Sequence, residues 1–243
     1  MGVMALMAAT PQALAETSGP SVVPINGTVG GRTYGQWSAE WWHRAFAVTS
    51  FDDCALMNQP EPNQALGPVW FLAGSAGGTA PPRTCAIPAG KFIMFPLFNT
   101  EWSKAEAIAT QPPKGGCFIP GVVPTGTEDA ALRACAKAQA DHGLDADTTL
   151  NAQVDGINLP NLKTFRAASP FPPFSFTTVE GNPFGLCPAI SPCPLESQAV
   201  ADGFWIILNP LSPGHHTISF GAVVPFFGFT TQVTYTVIVQ PAK

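Results

Sequence analysis

Short apolar runs cut off by turn-forming residues dominate this chain and set what it can fold into. Val69-Trp70-Phe71-Leu72-Ala73, Lys91-Phe92-Ile93-Met94-Phe95 and Gly203 to Leu208 are rich in aromatic and β-branched residues and flanked by Gly or Pro, the mark of buried strands. Proline occurs 26 times and glycine 23 times in the 243 residues, which suits many short strands joined by turns. Thr230 to Val239 alternates cleanly, with Val233, Tyr235, Val237 and Val239 on one side and Gln232, Thr234, Thr236 and Ile238 on the other, as in a strand with one buried face. Ser175 to Val179, His216 to Phe220 and Thr164 to Ala168 read as further strands. Asp155-Gly156 inside Leu150 to Leu159 predicts a hairpin with a type I′ turn.

Two helices interrupt this pattern. From Gly35 to Phe46, Trp37, Trp41 and Ala45 recur at helical spacing, and Glu40 and Arg44 stand four apart on another face. Thr127 to His142 begins with a capping Thr127, places Glu128 and Asp129 at the positive end and stops at Gly143. The architecture expected is a β-sandwich or jelly roll with two or three short peripheral helices. Residues 16–34 read as an extended arm with a Gly30-Gly31 turn, and residues 35–243 as a single β-rich domain.

With 46% hydrophobic and 11% charged residues, the chain has material for a core and no disordered tail. A net charge of −5, with 11 Lys plus Arg and no basic run, removes the footprint that phosphate-backbone binding requires. Residues 1–15 combine an apolar run (Val3 to Ala9), Pro11 and an Ala13-Leu14-Ala15 end, which reads as a signal peptide for secretion or periplasmic export. That run falls well short of the roughly 18 residues of a membrane span. Six cysteines fit an oxidising compartment. Pairing between sequence neighbours is the economical arrangement: Cys54 with Cys85, Cys117 with Cys135, Cys187 with Cys193.

Trp37-Ser38-Ala39-Glu40-Trp41-Trp42, Val69 to Gly74, Cys85-Ala86-Ile87-Pro88-Ala89-Gly90-Lys91 and Leu211-Ser212-Pro213-Gly214-His215 occur in one order. In these motifs the chain resembles a family of secreted bacterial proteins with no assigned catalytic residues, so the resemblance implies relatives and no reaction. The Leu211 to His215 piece also looks like the turn before a late strand in bacterial immunoglobulin-like modules, which implies a sandwich.

Candidate chemistry divides into four sets. Glycoside hydrolysis uses two facing carboxyls, one kept protonated by an apolar setting, and Glu40 beside Trp41 and Trp42, with Glu101 beside Trp102, are the carboxylates so placed; the alternative is a Glu40–Arg44 helix pair and a helix-start Glu101. Ala73-Gly74-Ser75-Ala76-Gly77 resembles a nucleophile elbow, with Asp202 and His215 or His216 downstream, yet Gly78 to Pro82 cannot begin the helix such a turn feeds. No cofactor is implied; calcium is the ion that Asp52, Asp53, Asp145, Asp147 and Asp155 suit, although no spacing matches a known calcium loop. His43, His215 and His216 make a metal set on paper only. Finally, exposed aromatic rings stack on sugars. Trp42 is rotated by about 100° from Trp41 on a helix, so one of the two is expected at the surface, with Trp102 as a third ring. The function implied is an exported module binding a glycan or another surface ligand, or alternatively a hydrolase of an extracellular polymer.

Overall fold

The computed structural model describes residues 19–57, 67–109, 129–189 and 191–242. The arm holds a two-residue hairpin, β1 (Thr28–Val29) and β2 (Arg32–Thr33), closed by Gly30 and Gly31 at φ 57° and 76°. Helix α1 (Tyr34–Phe46) follows, with Thr33 and Gln36 forming a capping box. Then come β3 (Val69–Phe71), β4 (Gly78–Thr79), β5 (Arg83–Pro88), β6 (Phe92–Ser103), α2 (Lys104–Ala109) and α3 (Asp129–Asp141). The second half holds β7 (Thr149–Val154), β8 (Ile157–Asn158), β9 (Phe174–Thr178), the irregular turn α4 (Leu186–Ala189), β10 (Leu195–Leu208), β11 (Gly214–Val224) and β12 (Phe229–Gln240). Neither the signal segment nor the Thr127 cap falls within the described residues.

These strands build the expected mainly β sandwich. One sheet runs β3-β6-β10-β9, and the other runs β4-β12-β11-β7-β8 with β5 also on β12. Most neighbours are antiparallel, while β3 on β6 and both β4 and β5 on β12 are parallel. Phe95 of β6 stacks on Phe220 of β11 across the gap, with ring centroids 4.5 Å apart. Ile206 is registered with Phe95 and shares that inner face, so its neighbour Trp205 must point the other way. Trp205 there meets Trp41 of α1, edge to face at 5.4 Å. The first sheet is thus covered on both sides, by the second sheet and by α1, which explains why Gly203 to Leu208 is apolar without alternation.

The Asp155-Gly156 hairpin forms, with both residues at positive φ (52° and 78°), and Val233, Tyr235, Val237 and Val239 face the core. Thr164 to Ala168 differs from expectation: it begins as a 3-10 turn and touches β10 through one bridge, Arg166 to Phe204. Arg166 is drawn instead to Asp202 and Asp141, both at 2.7 Å. Disulfides join Cys54 to Cys85 and Cys187 to Cys193. Cys135 is also disulfide-bonded; the expected pairing with Cys117 lies outside the described residues. Among the described residues no helix is long and apolar enough to cross a membrane.

The aromatic surface expected on α1 is absent. Trp41 and Trp42 are 2% and 6% exposed, and Trp102 is 1% exposed. Trp41 is taken up by the sheet, whereas Trp42 is covered from the far side by Phe184, at 5.1 Å. Asn182 holds that covering loop in place by donating to the carbonyls of Ala45, Phe46 and Val48. Trp102 lies in a separate cluster with Ala107, Leu132, Ala136 and Val200. A helical wheel accounts for the sheet on one side of α1, not for a loop some 140 residues later that closes the other.

Candidate ligand cleft

Strand β3 ends at Phe71 and its last ladder partner on β6 is Met94. Beyond that point the outer edge of β6 has no strand beside it among the described residues, and a cleft of about 450 Å³ occupies the place. Six rings contribute to its wall: Trp42 and Phe46 from α1, Phe98 from β6, Phe184 from the loop over α1, and Phe227 and Phe229 from the start of β12 and the turn before it. Ser75 and Ala76 form part of the rim.

The polar end of the cleft is a carboxyl pair, Glu101 near the end of β6 and Glu106 in the first turn of α2. Ser103 N–H and Ser103 Oγ donate to Glu106 Oε2 at 2.9 and 2.6 Å, and Glu106 N–H returns to Ser103 Oγ at 3.2 Å. This capping box folds Glu106 back toward Glu101, and the two carboxyls hydrogen-bond to each other. Burial, then the charge and hydrogen bond of Glu106, push the Glu101 carboxyl well above the usual carboxylate range. Burial raises Glu106 as well, opposed by the Ser103 hydroxyl and amide that favour its anion. Of the two carboxyls Glu101 holds the shared proton the more tightly, because its hydrogen bond to Glu106 favours its neutral form while the same bond favours the anion of Glu106.

Three buried polar atoms of the lining residues have no hydrogen-bond partner: Trp42 Nε1, Asn99 Nδ2 and Glu101 Oε1. Two are donors and the third is an acceptor whenever the Glu101 proton lies on its other oxygen. Leaving such groups unmet costs about 1–3 kcal/mol each. None of the described residues lining the cleft is Lys, Arg or His.

The sequence-predicted residues separate. Glu40 is away from the cleft, held by Arg44 at 2.8 Å and Arg32 at 3.6 Å, so it does not face Glu101. Glu101 is not at a helix start either; it pairs with Ala201 within the sheet. Its partner Glu106 was missed, although Ser103-Lys104-Ala105-Glu106 carries the S-x-x-E signature of a helix start.

Ser75 reaches the rim but donates to the Gly78 carbonyl at 2.8 Å and pairs with Thr231 Oγ1 at 2.7 Å. Asp202 is bound by Arg166, and His216 by Asp155 at 2.7 Å. Along β12, Thr231 beside Ser75 and Val237 beside His216 are six residues apart, roughly 20 Å at strand rise, so no Ser75–His216 relay forms. The acidic residues considered for calcium are likewise dispersed: Asp53 accepts from Thr84 N–H, Asp145 from His142, and Asp155 from His216 and Thr217 N–H. Among the described residues no three His, Cys, Asp or Glu side chains converge.

A larger groove of about 810 Å³ lies beside β9, but both basic side chains that line it are already engaged. Lys104 donates to Gln198 at 2.7 Å and His43 meets the Ser175 carbonyl at 3.0 Å.

No known protein family matches the chain, and no curated protein matches it in sequence. Among solved structures, a cysteine protease inhibitor from Entamoeba histolytica aligns over 71% of this chain and 95% of that one, at 14% identity and a TM-score of 0.23.

Proposed function

We propose that this chain is an exported binding module whose ligand occupies the aromatic cleft beside β6. The observation that carries this reading is an open cleft at the unpaired edge of β6, lined by six aromatic rings and by three residues, Trp42, Asn99 and Glu101, that each hold a buried polar atom without a hydrogen-bond partner. An apolar pocket with a few convergent polar groups is the ordinary form of a small-molecule site, and about 450 Å³ is within the usual size range. Export rests on the Ala13-Leu14-Ala15 end after an apolar run and on disulfides of the kind that persist in oxidising compartments. Glycan stacking on Trp41, Trp42 and Trp102 loses its basis with their burial; a ring-bearing ligand of another kind fits the cleft better.

A hydrolase reading has one observation behind it, two carboxyls, Glu101 and Glu106, lining one cleft. Glu101 and Glu106 are in direct hydrogen-bond contact, however, whereas glycosidase carboxyls stand at least about 5 Å apart to flank the sugar.

The test is a panel of oligosaccharides, peptides and aromatic small molecules, measured by calorimetry for binding and by chromatography for product release. Binding without product is expected, and Ala76→Trp, which fills the rim, should abolish it. Turnover, or binding indifferent to Ala76→Trp, would overturn the proposal.

A further inference from the structure

The open edge of β6 offers main-chain groups as well as side chains. Ala167 N–H donates to the Gly203 carbonyl at 2.9 Å and Ser169 N–H to the Ala201 carbonyl at 2.8 Å, so both β10 residues spend their main-chain groups on the side away from β6. Residues facing each other in an antiparallel ladder exchange both bonds or neither. Asn99 and Glu101 are registered with Gly203 and Ala201, and their N–H and C=O groups therefore point outward. Ser103, two residues further on, shows the same direction, since its N–H leaves the sheet to reach Glu106 Oε2 at 2.9 Å. Among the described residues nothing bonds the outward main-chain groups of Asn99 or Glu101. Phe98, Asn99, Thr100 and Glu101 all line the cleft. Successive strand side chains face opposite ways, so the cleft runs along the edge of β6 and not over one of its faces. The walls beside that edge have surface to offer: Phe184 on the α1 side and Phe227 and Phe229 on the Phe98 side are half-buried, and Phe98 meets the last two at 6.2 and 6.1 Å.

We infer that the cleft takes a short extended peptide with uncharged, apolar side chains as an added strand on β6. This deepens the binding reading and rests on it. A row of unpaired main-chain groups at strand spacing is matched by another extended backbone, whose own N–H and C=O recur at the same interval. The template is short: Pro96 at one end has no N–H to give, and the Ser103 N–H at the other is taken. About three ligand residues suffice, the first and third exchanging two bonds each with Asn99 and Glu101. Their side chains turn to the Phe184 side and the middle one to Phe227 and Phe229, rings that carry no charge and favour apolar partners. The same walls decide against a second copy of this chain. A folded sheet brings packed layers over both faces, which would meet Phe184 on one side and Phe229 on the other; a lone strand does not.

The probes are blocked pentapeptides, acetyl-Thr-X-Z-X-Thr-amide with Val, Leu or Phe at X and Z, measured by titration calorimetry on the full chain. At least one should bind, and Ala76→Trp should abolish it. N-methylation of the tightest binder at each central residue in turn then reads the backbone. A two-residue period is expected, with methyl groups on the edge-facing amides costing about tenfold in affinity and those between them less than about threefold. Asn99→Pro removes one outward N–H and leaves the β10 ladder intact, so it should weaken binding about tenfold while a cooperative melting transition reports a folded protein. Should that variant not fold, the methyl series on the unsubstituted protein decides alone. Peptide binding insensitive to the methyl positions, or a dimer of the protein alone that peptide dissociates, would overturn the added strand. So would aromatic small molecules binding where no peptide does, an outcome that leaves the cleft reading standing. If neither class binds, the binding reading itself fails.

Discussion

The side-chain amide of Asn182 donates to the carbonyl oxygen of Ala45 at 2.8 Å, across 137 residues of sequence. The same amide reaches the Phe46 and Val48 carbonyls at 3.0 and 2.9 Å, and Asn182 Oδ1 accepts from Phe184 N–H at 3.1 Å. One buried side chain thus satisfies the exposed end of α1 and fixes the ring that covers Trp42. Asn182→Ala should cost about 1–3 kcal/mol. Asn182→Asp should cost more, because carboxylate oxygens would face carbonyl oxygens. Urea denaturation reads the stability, and a red shift in tryptophan emission reads the uncovering of Trp42; an unchanged spectrum would contradict this account of the loop.

The two described disulfides should differ in weight. Cys54–Cys85 spans a separation of 31 residues and Cys187–Cys193 one of 6. In the chain-entropy account the longer loop contributes about 4 kcal/mol and the shorter about 2 kcal/mol. Cys54→Ala with Cys85→Ala should therefore lower the melting temperature further than Cys187→Ala with Cys193→Ala. Scanning calorimetry of the two double variants checks the order.

Gly221 of β11 is registered with Gln232 of β12, and a Cβ there would lie 2.0 Å from the Thr231 carbonyl oxygen. Gly221→Ala must push β12 away from β11, at a cost of about 2 kcal/mol or more. Thr231 also carries the hydroxyl that meets Ser75 at the cleft rim, so ligand affinity should fall along with stability. A variant of unaltered stability would show that the strands separate more freely than this packing implies.

Local chemistry explains what was legible in the sequence. Asp155-Gly156 announced its hairpin because few dipeptides accept positive φ twice, and the alternation from Thr230 to Val239 follows from one buried face. Strand β5 went unread: Arg83, Cys85 and Ile87 do alternate inward, but Arg83 is a charged residue in a buried position. It is accommodated by donating to the Ala73 and Gly74 carbonyls and Tyr235 Oη, at 2.9 to 3.0 Å. Half of the cleft was visible, since Glu101 stood out for its aromatic neighbour, whereas the helix start that Ser103 to Glu106 spell went unread. Their meeting was not, because it depends on β3 stopping at Phe71 and on α2 turning back over the end of β6.

His216 gives the fold a dependence on pH. Its Nδ1 faces Asp155 Oδ2 at 2.7 Å and its Nε2 faces the Ser212 carbonyl at 2.9 Å. Both partners accept, so the ring fits best when both nitrogens carry protons. Burial works against that charge, but the Asp155 hydrogen bond, the Ser212 carbonyl and the Asp155 charge outweigh it and raise the pKa above the ordinary 6.5. A pKa raised on folding means that the native state binds the proton more tightly than the unfolded chain. The stabilisation is then fully present below about pH 6.5 and is lost as pH rises through the higher folded value. The Asp155 side chain is 45% exposed, so solvent screening limits the effect to about 0.5–1 kcal/mol. Asp155→Asn keeps an oxygen to accept from Thr217 N–H, a bond of 2.8 Å in the native protein, while removing the charge. Denaturation midpoints measured from pH 5.5 to 8.5 should decline for the native protein relative to Asp155→Asn, with the difference closing at the alkaline end. A constant difference across that range would mean that His216 does not carry the charge assigned to it.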